Sequence, residues 1–239
     1  NQFYVGWNLA GATGLGGGES GAGWILNYLL ERSSLTVDSG RMATAIKKLD
    51  LYKFDFAITE SRSPWEFIDS NIIPLLPISF MSGGDGIFPV VWELDATPKD
   101  AVIHIIAGPG GAARASAVKY ERSVTDVRNE LRIDFALNVR SGEYKRFRTL
   151  RPELLTAAGS YVESTSVLAK KSADLYGARS ETFTTDIVCD DATAAKILNW
   201  KIRSLGFLHR SVEYNVPRDT GGWLIPGDVI TLTDDELSI

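Results

Sequence analysis

Large apolar residues occupy every second position from Leu131 to Val139. The intervening residues are Arg132, Asp134, Ala136 and Asn138. Successive side chains of a β-strand point to opposite faces, so this period of two predicts a strand with one buried and one wet face. The turn sequence "RSGEY" follows, and "YKRFRTL" then returns. The pattern favours antiparallel structure, because antiparallel sheets commonly leave one face in water.

Short strands are predicted elsewhere in the second half, in "SAVKYERSV", "ETFTTDIV", "RSVEYNVP" and "DVITLT". Several short strands separated by turn residues are typical of a barrel or a sandwich. One helix interrupts them, with Asp190 or Asp191 as N-cap and Gly206 as a left-handed closing residue. We therefore predict an antiparallel β-barrel-like domain with one helix over residues 111–239.

The first half is expected to be an α/β domain over residues 1–110, with a Gly-rich opening loop. A helix is predicted after Gly23, and a second one capped by Asp38 or Ser39. A short strand, "YKFDFAI", comes next, and Ser63 of "SPWEF" caps a third helix. A hairpin is predicted around "SGGDG", followed by a buried strand, "AVIHIIA". The fold class is therefore α+β, with a domain boundary at "GPGGAA".

Composition excludes several kinds of site. The formal charge of −5 disfavours a nucleic-acid footprint. One basic run is interpreted as a solvated strand face; its members are Arg140, Lys145, Arg146, Arg148 and Arg151. The single cysteine, Cys189, excludes an intrachain disulfide and a thiolate metal cluster. His104 and His209 are expected to be packed or hydrogen-bonded, and Asp234 to belong to a solvated chain end. No apolar stretch approaches the roughly 20 residues of a membrane-spanning helix.

The tract "GATGLGGGESGAG" (residues 11–23) has two interpretations. Its first part, Gly11–Gly18, looks like the nucleotide loop of short-chain dehydrogenases, with Asp38 placed to hold a ribose. That class uses a Tyr-x-x-x-Lys pair, and the fourth residue after each tyrosine is never lysine here. NAD(P) binding therefore stays as the alternative, and a flexible or turn-forming connector is the preferred interpretation.

A longer pattern runs through the chain, with "LLERSSL", "YKFDFAI", "SPWEFI" and "PLLPISFMSGGDGIFPVVW" in residues 25–95. These residues resemble the α/β insertion domain of the hub proteins of bacteriophage tails, also called baseplate-hub or tail-tip proteins. The later residues are similar to the β-barrel domain of a hub, through "NELRIDFALNVRSGEYKRF", "CDDATAAKILNWKIRSLGFLHRSVEYNVP" and "WLIPGDVITLTDDEL".

The resemblance implies a non-catalytic virion structural protein, without cofactor, metal or catalytic residues. It implies a homotrimeric ring at the tail tip, made in the host cytoplasm and involved in virion assembly and host attachment. The partners would be a distal tail or tail tube protein and a tail spike or central fibre. We also expect the chain to be a piece of a longer protein. A carbohydrate-binding or host-adhesion module is a further alternative, and Trp223 is a possible contact residue, although a packed Trp is expected.

Overall fold

The computed structural model describes residues 21–56, 62–108, 111–152 and 162–234, and side chains 162–164 are left aside. The described residues mix helices with small sheets, which confirms the predicted α+β class. The helices are α1 (Ala22–Arg32), α2 (Ser39–Leu49), α3 (Pro64–Phe67), α4 (Val167–Tyr176), α5 (Asp191–Leu205) and α6 (Arg218–Gly221). The strands are β1 (Ile78–Gly83), β2 (Gly86–Val91), β3 (Ile103–Ile106), β4 (Ala113–Arg114), β5 (Lys119–Tyr120), β6 (Glu130–Asn138), β7 (Glu143–Arg151), β8 (Val162–Thr165), β9 (Ser180–Thr184), β10 (Arg210–Ser211), β11 (Tyr214–Asn215) and β12 (Ile230–Thr233).

The helix starts of the first half follow the predicted caps. Asp38 accepts a hydrogen bond from the backbone N–H of Arg41 at 3.0 Å, and α2 begins at the next residue. Ser63 accepts from the N–H of Glu66 at 3.1 Å, and α3 begins at Pro64. After α3 the chain continues as a π turn and then a 3-10 turn that ends at Leu75. Local side-chain to backbone bonds fixed these starts, which is why sequence alone could place them.

The predicted hairpin is confirmed, but the predicted strand "YKFDFAI" is not. β1 and β2 pair antiparallel from Ile78↔Val91 to Gly83↔Gly86. The described part of the "YKFDFAI" segment is residues 52–56, where only an isolated bridge between Lys53 and Gly21 forms, and its last two residues lie outside the described residues. Phe54 is fully buried all the same, so its alternation reflects burial of single side chains rather than a sheet.

The strand predicted from alternating apolar residues is β6, which lies in a four-stranded sheet of order β8-β7-β6-β9. Leu131, Ile133 and Phe135 of β6 are buried, as the period of two predicts. β6 and β7 are antiparallel, but β6–β9 and β7–β8 are parallel pairs.

The expected antiparallel barrel is therefore wrong for the described residues, which form five small open sheets. Three of these sheets are antiparallel pairs of strands, one is a parallel pair, and the four-stranded sheet is mixed. An alternating pattern determines which face of a strand is wet, but not the direction of its neighbours. The prediction of a single helix in this half is also wrong. α4 was missed because only Ala169 and Ser172 are buried on it, which leaves no apolar stripe to read.

The helix α5 was predicted correctly at its start and incorrectly at its end. Asp190 accepts from the N–H of Thr193 at 2.8 Å, as an N-cap does. Gly206 follows the helix with φ −76°, which is right-handed rather than left-handed. The close of this helix therefore does not depend on a glycine-specific backbone conformation.

The hydrophobic core unites both halves of the sequence. Its buried cluster includes residues of α1 and α2 together with β6 and α5. Hydrogen bonds also join the halves, since the N–H of Asp55 donates to the carbonyl of Ile187 and the N–H of Lys53 donates to the side-chain Oγ1 of Thr193, each at 2.9 Å. The division into residues 1–110 and 111–239 stays a prediction.

Asn129 is a buried polar residue that directly precedes β6. Its Nδ2 donates to Ser172 Oγ at 3.1 Å and to the carbonyl of Gly177 at 2.9 Å, and its Oδ1 accepts from the N–H of Arg179 at 2.8 Å. Ser172 in turn donates to the carbonyl of Gly206. The asparagine therefore ties the start of β6 to both ends of the α4–β9 connection and, through Ser172, to the end of α5.

Candidate assembly surface

The strands outside the core form what we call the peripheral β-layer, which comprises residues 102–108, 111–124 and 209–234. It contains three two-stranded sheets: β3 with β12, β4 with β11, and β5 with β10. None of its residues belongs to the core cluster of the described chain. Isolated two-stranded ribbons are marginal in water, so contacts beyond the ribbons themselves are expected to stabilise this layer.

The sheet of β3 and β12 is parallel and exposes apolar side chains. Its register runs from Ile103↔Ile230 to Ile106↔Thr233. Ile105 is buried, whereas Ile106 is exposed. The sequence predicts a buried strand here, but Ile105 is the one buried residue of β3. His104 lies on the exposed side, and its Nδ1 is hydrogen-bonded to Thr231 Oγ1 at 2.9 Å.

The remaining strands form an antiparallel ribbon. Arg114 pairs with Tyr214, and Tyr120 pairs with Arg210. Between the Arg114–Tyr214 pair and the Lys119–Ser211 pair the first strand has four residues, 115–118, and the second has two, 212 and 213, so the ribbon bulges. Ser116 holds the bulge, because its Oγ accepts from the N–H of Glu213 at 3.2 Å.

Exposed apolar side chains are concentrated in the peripheral β-layer. Of the fifteen large hydrophobic residues that are exposed in the described part of the chain, seven lie in it. They are Val102, Ile106, Tyr120, Val124, Trp223, Ile225 and Ile230. Trp223 is 54% exposed, so the expectation that it packs in a core or turn is wrong. Concentrated exposed apolar groups and exposed aromatics are typical of surfaces that contact other proteins.

The turn before β12 attaches the layer to the hairpin of β1 and β2. Gly227 has φ +95°, and a Cβ at this position would lie 2.5 Å from Cγ1 of Val90. An open groove of about 230 Å³ lies along this contact, between α2, β2 and the turn at residues 225–228. On the hairpin side, Trp92 is exposed and its Nε1–H donates to Ser79 Oγ at 3.1 Å. The glycine is required here because a side chain would meet β2 and because the backbone is left-handed.

Asp234 is buried, so the expectation that it belongs to a solvated chain end is wrong. It lies at the end of β12, and its carboxylate accepts a hydrogen bond from the hydroxyl of Tyr214 at 2.5 Å. The bond joins the β3–β12 sheet to the ribbon. His209, at the other end of the ribbon, has its Nε2 at 2.9 Å from the carbonyl of Ser204, which confirms the hydrogen-bonded role expected for it.

The basic run on β7 is only partly a solvated face. Lys145 and Arg146 are exposed, as predicted. Arg148 is half-buried, and its Nη1 donates to the carbonyl of Asp191 at 3.4 Å. A guanidinium stem can pack against apolar surface while its head keeps polar contacts, so alternation alone could not exclude burial of Arg148.

Burial shifts the pKa of several side chains in the described part of the chain. Burial, and then the charge of Asp95, raises the pKa of Tyr52 to about 12. Burial, with Asp55 and Asp190 nearby, raises the pKa of the Cys189 thiol, which disfavours the nucleophilic thiolate. Burial lowers the pKa of Lys201, whose ammonium lies near the rings of Phe183 and Trp200.

The candidate nucleotide loop, Gly11–Gly18, lies outside the described residues. Asp38, its proposed ribose ligand, caps α2 and pairs with Arg41 Nε at 3.4 Å. Among residues 21–56, 62–108, 111–152 and 162–234, no group of three or more His, Cys, Asp or Glu side chains is arranged to hold a metal ion. No helix in these same ranges has the length and apolarity needed to cross a membrane.

Comparison with known proteins points to the same part of the chain as the exposed surface does. The family model described as "Putative phage tail protein" matches residues 95–238. This match includes the whole described peripheral β-layer and the four-stranded sheet, and gives no support to a dehydrogenase. No curated protein matches the sequence. Since the family model covers more than half of the chain, the chain belongs to this family of phage tail proteins.

Proposed function

We propose that this chain is a structural component of the bacteriophage tail tip, a baseplate hub. It would form a homotrimeric ring that joins the tail tube or distal tail protein to the spike or central fibre, without catalysing a reaction. The observation that carries this proposal is the peripheral β-layer, which lies within the family match and exposes seven large apolar residues.

The construction of the layer supports an assembly role. Its three ribbons have two strands each and contribute no residue to the core cluster of the described chain. Such ribbons gain little stability from burial within the chain, so contact with other proteins of the tail better explains what stabilises them. The exposed residue Trp223 fits this role, because aromatic residues are enriched in interfaces.

The position of this protein in the virion can be tested by immunogold labelling of purified virions. We expect gold particles at the distal end of the tail, where a hub would lie. Antibody preabsorbed with the purified chain is the control and should leave the tails unlabelled. Labelling along the tube, or virions without label, would contradict the tail-tip proposal.

The ring can be tested on the purified chain by native mass spectrometry and sedimentation. We expect the mass of a trimer. Trp223→Ala tests whether this exposed side chain contributes to the trimer, because its removal should leave the fold intact.

The contact surface can be tested by cross-linking of intact tails, followed by peptide mapping. We expect cross-links between the peripheral β-layer and neighbouring tail proteins, and links confined to other faces would count against this surface.

A further inference from the structure

We propose that the ribbon of residues 113–122 and 209–215 docks on the acidic segment Trp92–Asp100 of a second copy of this chain. The inference rests on the ring proposed above and names the two surfaces that would meet in it. The ribbon's contact would be made by side chains, and the two surfaces would differ in charge.

The ribbon is a cationic surface on an anionic chain. It carries four basic and two acidic side chains, a charge of +2, whereas the whole chain has −5, so the other residues carry −7. The basic residues are Arg114, Lys119, Arg122 and Arg210. By charge alone, a second copy of the chain is therefore an attractive partner for the ribbon.

An aromatic side chain lies among these charges. Tyr120 is exposed, and the guanidinium carbon of Arg210, its cross-strand partner, lies 5.6 Å from the centre of the tyrosine ring. Tyrosine and arginine are, with tryptophan, the residue types enriched among those that dominate binding energy in interfaces. Lys119 and Arg210 are both exposed, so their charges can reach a partner.

The segment Trp92–Asp100 has the complementary character. It leaves β2 with Trp92 and Leu94 exposed, and its three carboxylates and Lys99 give it a formal charge of −2. Glu93 contacts Lys48, and Asp100 is held in the capping box of Thr97. Asp95 is exposed and makes no ion pair or hydrogen bond within the described part of the chain, so its charge is open to a partner.

The ribbon's edges argue against pairing by added strands. The four-against-two bulge at residues 115–118 interrupts the ladder, and Lys119 lies directly after it. Bulges and edge lysines are the devices by which proteins prevent pairing between edges. A contact through side chains fits this geometry, and because the two surfaces differ, the contact is head-to-tail and can close a ring.

Charge reversal tests the inference on the full chain. The variant Lys119→Glu/Arg210→Glu changes the formal charge from −5 to −9. The matched control Lys170→Glu/Lys171→Glu makes the same change on the exposed side of α4. The rescue variant adds Asp95→Lys to the ribbon reversal. The association constant of each variant is measured by sedimentation at about 50 mM and about 500 mM salt, with circular dichroism to verify folding.

We expect the ribbon reversal to weaken association at least about tenfold at low salt, the control to change it less than about threefold, and Asp95→Lys to restore most of the loss. High salt should reduce the difference, since it screens exposed charges. The inference is overturned if the ribbon reversal and the control act alike, if Asp95→Lys restores nothing, or if the unmodified chain stays monomeric. A trimer that survives ribbon reversal overturns this contact alone and leaves the proposed ring standing.

Discussion

Replacing Asn129 by alanine should destabilise the protein by about 2 to 4 kcal/mol, in the lower part of the sum for two unsatisfied polar groups because Gly177 is exposed and Arg179 is half-buried. The substitution removes three side-chain hydrogen bonds, whose partners are Ser172 Oγ, the Gly177 carbonyl and the Arg179 N–H. A buried polar group left without its partner costs about 1–3 kcal/mol. Ser172 still donates to Gly206, so the carbonyl of Gly177 and the N–H of Arg179 account for most of the loss.

The measurement is urea unfolding followed by circular dichroism, with thermal unfolding as a second readout. A loss of this size is a large part of the roughly 5–15 kcal/mol that stabilises a typical domain, and it should lower Tm by about 10 °C. The matched control is Asn215→Ala, because Asn215 is exposed on β11, and its change should stay within about 0.5 kcal/mol.

A charged isostere separates hydrogen bonding from packing. Asn129→Asp keeps the shape of the side chain and the acceptor for Arg179, but loses both N–H donors. We expect it to be destabilising at neutral pH and to recover in part in acid, where the protonated carboxyl can donate again. An Asn129→Ala variant that loses less than about 1 kcal/mol would refute the assignment of Asn129 as a junction of the fold.

Three further predictions concern the backbone and pH. Ala136 lies within β6 and has φ +58°, a left-handed conformation that disfavours a branched side chain. Ala136→Val should therefore lower the free energy of unfolding in urea by about 1–2 kcal/mol, despite valine's preference for strands. Ala136→Gly should be neutral or stabilising. Gly86 has φ +128°, and a Cβ at this position would lie 2.5 Å from the carbonyl oxygen of Thr36. Gly86→Ala should therefore lower the free energy of unfolding by about 2–4 kcal/mol. The control is Gly84→Ala, whose Cβ would meet nothing within 4 Å and which should change stability by less than about 1 kcal/mol. The pKa of Tyr52 is raised to about 12 in the fold against about 10 in the unfolded chain, so its contribution is fully present below pH 10 and is lost as the pH rises through 12. Unfolding between pH 9 and 12 should show this loss, about 2 kcal/mol at most because the side chain is partly exposed, and Tyr52→Phe should reduce it; an unchanged alkaline profile would contradict the burial of the hydroxyl.

Local signals in the sequence predicted local structure well. Asp38, Ser63 and Asp190 each cap the helix that was expected after them, because a cap is a bond between residues three positions apart. The alternation in β6 also predicted its buried face, since side-chain direction along a strand is set by the backbone alone. The resemblance to tail hub proteins pointed to the tail family that the comparison shows.

The candidate surface was less predictable. Trp223 is apolar and follows two glycines, a pattern that is compatible with either packing or exposure, and the sequence favoured packing. Its exposure depends on whether other elements cover the turn before β12, and the residues next to it in the sequence do not predict this. Asp234 shows the opposite case, because a carboxylate near the end of the sequence is buried by its bond to Tyr214, 20 positions away.

The sequence by itself therefore determined the helix starts, the hairpin of β1 and β2, the wet and buried faces of β6, and the α+β class. Only the tertiary structure decided that β9, β8 and β12 run parallel to their neighbours, that no closed barrel forms among the described residues, and that the peripheral β-layer lies outside the core. The physical reason is range: caps and alternation act within a few residues, whereas strand direction and exposure depend on which distant segments pack together.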